Sequence, residues 1–301
     1  MRAMLGDIRS PQSRPPAGER EPGAEARVSR VDEPTVDRWP ARFIAGRLEG
    51  LHDEPRPGRP PDARRRLAYP DLVACIRACL LDAFDTILDC DFTAFRSELP
   101  ALAGLPADAM IAEFGSIMPA LGTGRLSMAE GFRQILTACG VEPRPGLVCE
   151  LVERGRELLV ASARLYDDVL PFLETLRSRG IKIAIVSNCD ENMRDLLSGL
   201  GVAALADALV LSCEVGAAKP AAKIYLEALD RLGVTSDTAL FVDDNAAYCA
   251  GGAALGISTV QMMRGEIDGR ASTAGTTMVR SLTEVEAMLA WRSISCRSGE
   301  R

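Results

Sequence analysis

The residues of this sequence that could do chemistry come directly after apolar runs, one after another along the chain. Asp82 follows the apolar run 74–81, and the chain then turns through 84–86. The other candidates are Ser187 with Asn188, Lys219 before Pro220, and Asp243 with Asp244. An aspartate can act as a nucleophile where water is excluded and a cation holds its charge. Taken alone, the Asp82 turn also fits a strand followed by a helix cap.

The later candidates supply what such an aspartate needs. A lysine such as Lys219 can neutralise both an attacking aspartate and a transferring phosphoryl group. Ser187 and Asn188 offer a hydroxyl and an amide that can hold an anionic oxygen. Asp82, Asp243 and Asp244 together would form an oxygen-only site of the kind that Mg²⁺ prefers.

The composition excludes several other chemistries. The single histidine, His52, lies far from these motifs, so Ser–His–Asp, Cys–His and His-ligated zinc sites are not available to the folded body. Nine cysteines are scattered without a CxxC pair, which is typical of free thiols in a cytosolic protein. Only three lysines occur, at 182, 219 and 223.

Apolar runs alternate with amphipathic segments from residue 166 onward, which predicts strands alternating with single helices. The predicted strands are 181–187, 208–214, 238–244, 258–263 and 277–282. The predicted helices are 169–179, 192–200, 221–232, 247–255 and 283–291, the last opened by a capping box at Thr283. This alternation predicts βαβ units and a parallel sheet covered on both faces, an α/β fold. The carboxyl ends of such strands share one edge, where ligands bind.

Between the first strand and residue 166 the pattern is helical throughout. The predicted helices are 92–99, 107–121, 128–139 and 145–163, and Ser127 opens the third with a capping box. We therefore expect a core domain built from 67–88 and 166–292, an inserted helical cap domain over 89–165, and a tail over 293–301.

Residues 1–66 are rich in Pro, Arg, Glu and Gly, which predicts a disordered leader. Within it, the stretch 34–60 resembles the second half of a helix-turn-helix of insertion-sequence transposases. A recognition helix needs a companion helix to hold it in the groove, and no companion is evident. The net charge of −7 offers no attraction to nucleic acid or to anionic membranes. We expect a cytoplasmic protein that acts on a small, anionic molecule.

The ordered set of motifs resembles the haloacid dehalogenase-like hydrolase superfamily over about residues 72–291. The four motifs match at 82–86, 187–188, 219–220 and 241–245. The stretches 211–220 and 253–256 are similar to the subclass with a helical cap after the first motif. The resemblance implies a Rossmann-like, doubly wound core and catalytic roles for Asp82, Ser187, Asn188 and Lys219. It also implies Mg²⁺ held by Asp82, the backbone carbonyl of Phe84, and Asp243 or Asp244.

Phe84 departs from the pattern of the family's phosphatases, which carry a second aspartate at that position as general acid and base. Here Asp85 comes one residue later, where the family usually has Gly, and we expect it to face away as a helix cap. The family's dehalogenases carry an aromatic residue at position 84. They lack the acidic pair of the fourth motif and work without Mg²⁺, whereas Asp243 and Asp244 are present here. Tyr248 stands where their water-activating aspartate would lie.

Three functions stay open at this point. The first is a Mg²⁺-dependent phosphatase or phosphotransferase acting on a small phosphorylated metabolite with altered acid/base chemistry. The second is a hydrolase of carbon–halogen bonds, and the third is a non-catalytic member that binds a phosphorylated ligand. Metal dependence separates the first two. Arg96, Arg125 and Arg133 of the predicted cap either reach an anionic substrate or lie on the solvated surface.

Overall fold

A computed structural model describes residues 76–264 and 276–297 of this chain. The predicted leader and its transposase-like stretch lie outside the described residues. Six parallel strands form the main sheet in the order β5-β4-β1-β6-β7-β8. They are β1 Ala78–Leu81, β4 Lys182–Ser187, β5 Ala208–Leu211, β6 Ala239–Asp243, β7 Ser258–Met262 and β8 Thr277–Val279. The prediction of an α/β fold with a parallel sheet is confirmed.

Helices follow the strands and cover both faces of this sheet. Those of the sheet layer are α5 Val169–Ser178, α6 Met193–Gly199, α7 Val202–Leu205, α8 Ser212–Val215, α9 Ala222–Leu232, α10 Ala246–Ala253 and α11 Leu282–Arg297. A 3₁₀ turn, Ser236–Thr238, precedes β6.

Strand β1 is buried on both faces, which explains its unbroken apolar sequence. Side chains alternate across a strand, so Cys79 and Leu81 enter one apolar cluster with α5, while Ala78 and Leu80 enter another with α9. Each side chain of the strand is fully excluded from solvent. The next residue, Asp82, therefore leaves the sheet from its centre at the carboxyl end.

Four helices, which we call the helical segment, lie between β1 and β4 in sequence and pack around an apolar cluster of their own. They are α1 Thr93–Ala103, α2 Ala107–Leu121, α3 Met128–Ala138 and α4 Pro145–Ser162. Ser127 Oγ accepts a hydrogen bond of 3.2 Å from the Glu130 amide, as its capping box predicts. The domain boundaries drawn from the sequence at 89 and 165 stay predictions.

A short antiparallel ribbon, which the sequence did not reveal, joins the two ends of this segment. Its strands are β2 Leu88–Cys90 and β3 Ala163–Leu165, and Cys90 pairs with Ala163. The chain thus enters and leaves the helical segment side by side.

Four boundaries differ from their predictions by more than two residues. The helix expected over 92–99 continues to Ala103. The strand expected over 208–214 ends at Leu211, because the chain turns there into the short helix α8. The strand expected over 277–282 ends at Val279. The last helix begins at Leu282 and continues to Arg297, into the predicted tail. Its cap is Ser281, whose Oγ accepts from the Glu284 amide at 3.2 Å, and not the predicted Thr283.

Within 76–264 and 276–297, no individual helix has the length and apolar character needed to cross a membrane; only α1 and α2 together, bent by 105°, would pass on length and composition.

Candidate active site

Neighbouring strands bring the predicted site residues to one edge of the sheet. Asp82 follows β1, Ser187 ends β4 and Asp243 ends β6, and these three strands are adjacent in the order β4-β1-β6. Lys219 reaches the same edge from the loop between α8 and α9. Asp82, Ser187, Asn188, Lys219 and Asp243 are all buried, and Asp244 is partly buried. The structure therefore brings Asp82, Asn188, Lys219, Asp243 and Asp244 together, with Ser187 at the end of the neighbouring strand and Phe84 lining the same cavity as Asp82.

Lys219 bridges two of the carboxylates. Its Nζ lies 2.5 Å from Asp82 Oδ1 and 2.6 Å from Asp243 Oδ2, and its side chain is excluded from solvent. Burial lowers the pKa of Lys219, but the charges of Asp243 and Asp82 outweigh that effect and raise the pKa above its ordinary value. The rings of Tyr248 and Phe241 lie 5.2 and 5.5 Å from Nζ. Lys219 is thus held as a cation beside Asp82.

The carboxylates of Asp82, Asp243 and Asp244 place one oxygen each within 4.8 Å of one another. Burial, and then the charge of Asp82, raise the pKa of Asp243, although Lys219 opposes this rise. Two of these buried carboxylates share the ammonium of Lys219, and Asp244 places a third carboxylate oxygen beside them. An oxygen-only donor set of this kind fits a hard divalent cation such as Mg²⁺.

Asn188 positions Lys219. Its Nδ2 donates to the Lys219 carbonyl at 2.9 Å, and its Oδ1 accepts from the Lys219 amide at 2.7 Å. The side-chain amide of Asn188 was predicted to bind an anionic oxygen. In the structure, both its nitrogen and its oxygen form hydrogen bonds with the backbone of Lys219. Ser187 differs, because its buried hydroxyl has no hydrogen-bond partner among the described residues.

The turn after Asp82 does not lead into a helix, so the expected role of Asp85 as a helix cap is wrong. Asp85 takes a φ of 58°, a left-handed conformation that Asp tolerates better than most residues. Its amide donates to the Leu88 carbonyl at 2.9 Å, and β2 follows. A cavity opens over this turn, and it is lined by Asp82, Phe84, Asp85, Asn188, Asp244, Asn245 and Tyr248. Asp85 thus borders the same cavity as the candidate nucleophile.

Sequence reasoning missed Arg264, which holds this turn in place. Its guanidinium donates to the Thr86 carbonyl at 2.9 and 3.0 Å and pairs with both oxygens of Asp168 at 2.7 and 2.8 Å. Asp168 also accepts from the Leu282 amide at 2.7 Å. The sequence did contain a signal for Arg264, because this charged residue comes just after the apolar run that forms β7, in the way that Asp82 comes after β1.

Ser212 is a second residue that sequence reasoning missed. Its buried Oγ accepts from the Cys189 amide at 2.9 Å and lies 3.3 Å from the Cys189 carbonyl. These contacts fix the chain immediately after Asn188 against the end of β5. No pattern in the sequence marked Ser212, because it lies inside what reads as an uninterrupted strand.

Comparisons with known proteins agree with this geometry. The family model for haloacid dehalogenase-like hydrolases matches residues 76–256, and the chain belongs to that family. It is 30% identical over 209 residues to a glyceraldehyde 3-phosphate phosphatase of Methanopyrus kandleri, covering 64% of this chain and 85% of that protein. It is 28% identical over 202 residues to (S)-2-haloacid dehalogenase 4A of Burkholderia cepacia, with coverage of 64% and 85%.

Solved structures show the same two kinds of relative. The chain superposes on a HAD phosphatase from Thermococcus onnurineus with a TM-score of 0.52 and 25% identity, covering 71% of this chain and 98% of that one. A dehalogenase gives a TM-score of 0.51 and 26% identity, with coverage of 71% and 97%. The protein is therefore a hydrolase whose relatives include phosphatases and dehalogenases.

Proposed function

We propose that this protein is a Mg²⁺-dependent phosphate-ester hydrolase or phosphotransferase that acts on a small phosphorylated metabolite. The observation that carries the proposal is the cluster of Asp82, Asp243 and Asp244, which place one carboxylate oxygen each within 4.8 Å of one another beside Lys219. Such an oxygen-only cluster fits a divalent cation, which supports chemistry on a phosphoryl group. A halide leaving group places no such demand on the site.

Asp82 is the nucleophile of this proposal. Its carboxylate attacks phosphorus, the leaving group departs as its oxyanion with the electron pair of the P–O bond, and water then hydrolyses the aspartyl phosphate to free Asp82 and phosphate. Lys219 holds the charge of Asp82 before attack and that of the phosphoryl oxygens during transfer. Asn188 keeps Lys219 in position, and the Ser187 hydroxyl donates to a phosphoryl oxygen.

The metal ligands follow from the same cluster. Mg²⁺ would be held by Asp82, the carbonyl of Phe84, and Asp243 or Asp244. When bound, it supplies positive charge that neutralises the phosphoryl oxygens. Each carboxylate oxygen has two acceptor positions, so the contacts of Lys219 with Asp82 and Asp243 leave room for coordination.

Phe84 limits the substrates that react quickly. With no carboxylate at this position, the leaving group gains no proton from it, and general acid assistance is typically worth about 10²–10⁴-fold. We therefore expect slow turnover of alkyl phosphates and faster turnover of aryl and acyl phosphates, whose leaving groups need no proton.

The test is a panel of aryl, acyl and alkyl phosphates together with a 2-haloacid, each assayed with Mg²⁺ and after treatment with EDTA. We expect phosphate release from the activated esters that EDTA abolishes and added Mg²⁺ restores. Metal-independent release of halide, with no phosphate release, would overturn the proposal. It would establish the second candidate, a dehalogenase, which the aromatic Phe84 favours.

A further inference from the structure

On the basis of the function proposed above, we infer that the substrate carries an apolar group joined to its phosphoryl group. A cleft between the helical segment and the sheet holds this group. The residues on which the inference depends are Phe84, Phe92, Phe95, Met118, Met128 and Asp190, all of which line the cleft.

The cleft begins at the reacting atoms. Phe84 lines both the cleft and the polar cavity that contains Asp82. Asp190, which lines the cleft, is only two residues beyond Asn188 of the site. A molecule whose phosphoryl group reaches Asp82 therefore extends past the ring of Phe84 into the cleft.

The wall of the cleft is built from packed aromatic rings and methionines. The ring centroid of Phe92 lies 6.1 Å from that of Phe84 and 6.3 Å from that of Phe95. Met118 and Met128 close the side formed by the helical segment, and both are buried. Methionine adapts its shape to irregular apolar ligands, and aromatic rings supply a large apolar area.

The charges of the cleft exclude a second anionic group. Among the described residues that line it, the one charged side chain is Asp190, and neither lysine nor arginine is present. Burial raises the pKa of Asp190, in keeping with its apolar surroundings. The three arginines that the sequence predicted for an anionic substrate do not line this cleft. Arg133 pairs with Glu130, Arg125 donates to Thr123 Oγ1 at 3.0 Å, and Arg96 lines a different cavity. A sugar bisphosphate or a dicarboxylate would meet no cation here.

A series of linear acyl phosphates from acetyl to octanoyl tests the inference with Mg²⁺ present. Leaving-group acidity is nearly constant along the series, so a trend in kcat/KM reports binding of the chain. We expect kcat/KM to rise about threefold to fourfold for each methylene until the cleft is full. An acyl phosphate of equal length that ends in a carboxylate should lose this gain.

Two methionines of the same helix provide the matched variants. Met118→Gln places an amide in the cleft and should flatten the rise with chain length. Met110→Gln makes the same change at an equally buried position of α2 that lines the separate cavity. This variant should keep the slope of the unmodified protein.

The outcomes separate the two proposals. A flat series in the unmodified protein, with Mg²⁺-dependent phosphate release from every member, would overturn the apolar cleft and leave the proposed function standing. Absence of phosphate release from all members, acetyl phosphate included, would overturn the proposed function itself. The unmodified protein alone decides between them, whether or not the variants fold.

Discussion

Lys219 keeps two carboxylates together that would repel each other in a buried place. Its ammonium contacts Asp82 and Asp243 at once, and its own backbone is fixed by Asn188. The position of the ammonium beside the proposed nucleophile is therefore set by three strand ends and one loop acting together. A change at any of these residues acts on Asp82.

Replacing the nucleophile tests this assignment. Asp82→Asn keeps the volume of the side chain but removes the attacking carboxylate and one metal ligand. We expect kcat/KM to fall by at least about 10³-fold while the circular dichroism spectrum stays that of a folded protein. Asp89→Asn, on the exposed position of β2, is the matched control and should leave kcat/KM unchanged. Near-normal turnover by the Asp82 variant would contradict the proposed mechanism.

Phe84 decides which leaving groups the site can handle. Phe84→Asp supplies a carboxylate where the family's phosphatases carry one, so it should raise kcat for alkyl phosphates relative to aryl phosphates. A gain of about tenfold or more is expected, within the range of general acid catalysis. The ratio of the two rates in steady-state assays is the measurement. An unchanged ratio would show that the lack of an acid at position 84 does not limit the reaction.

At the scale of elements, Arg264 connects three parts of the fold. It reaches from the end of β7 to the turn after Asp82 and to Asp168 at the start of α5, and its guanidinium lies 4.2 Å from the ring centre of Tyr166. Asp168 in turn fixes the first residue of α11. The turn that carries Phe84 is therefore held by strands and helices distant in sequence.

Removing this connection should be costly for stability. Arg264→Ala leaves Asp168 largely buried without its charge partner, and we expect a loss of about 3 kcal/mol in the free energy of unfolding. Arg179→Ala breaks an ion pair with Glu286 in which both side chains are one-third exposed, so it should cost less than about 1 kcal/mol. Denaturant titrations measure both changes. Equal losses in the two variants would contradict the role given to Arg264.

Much of this element structure follows from the sequence, and the remainder has physical reasons. Long apolar strands and helices repeat their pattern over enough residues to be predicted. The capping box at Ser127 was also predicted, because its residue types and their spacing are specific. Strands β2 and β3 have three residues each, too few for any periodicity. The end of β5 was missed because Ser212 and Cys213 fit a continuing strand as well as a turn, while the backbone turns after Leu211. The Asp82 site was predicted from strand ends, but the orientation of Asp85 depends on a backbone angle that no residue pattern fixed.

At the scale of the whole molecule, the helical segment meets the sheet layer at the loop between α2 and α3. A Cβ added to Gly124 would lie 2.0 Å from the Cys213 carbonyl oxygen, so the two backbones are in direct contact. The Met128 amide donates to Glu191 at 3.2 Å nearby. This loop lies between Met118 and Met128, two walls of the apolar cleft.

Forcing this contact apart should lower both stability and catalytic efficiency, because the atom that must move belongs to the backbone. Gly124→Ala adds a clash with Cys213 to the cost of a φ of +65°, and the displaced methionines should lower kcat/KM for long acyl phosphates about tenfold or more. Gly104→Ala is the control, because its φ is +67° and its added Cβ meets nothing within 4 Å. It should lose roughly 1 kcal/mol of stability and keep full activity. Equal kcat/KM in the two variants would contradict the contact's role.

The central position of β1 has a consequence for how the protein is made. β1 is the first described strand to leave the ribosome, yet its two hydrogen-bonding edges are closed by β4 and β6, which are synthesised roughly 100 and 160 residues later. At about 5–20 residues per second, the apolar strand waits roughly 5–20 s for its first partner. The helical segment emerges during that interval with local contacts and its own apolar cluster, so it can fold before the sheet closes around Asp82. The nascent chain therefore carries an unpaired apolar edge until most of its length exists, and this interval is when aggregation threatens it most.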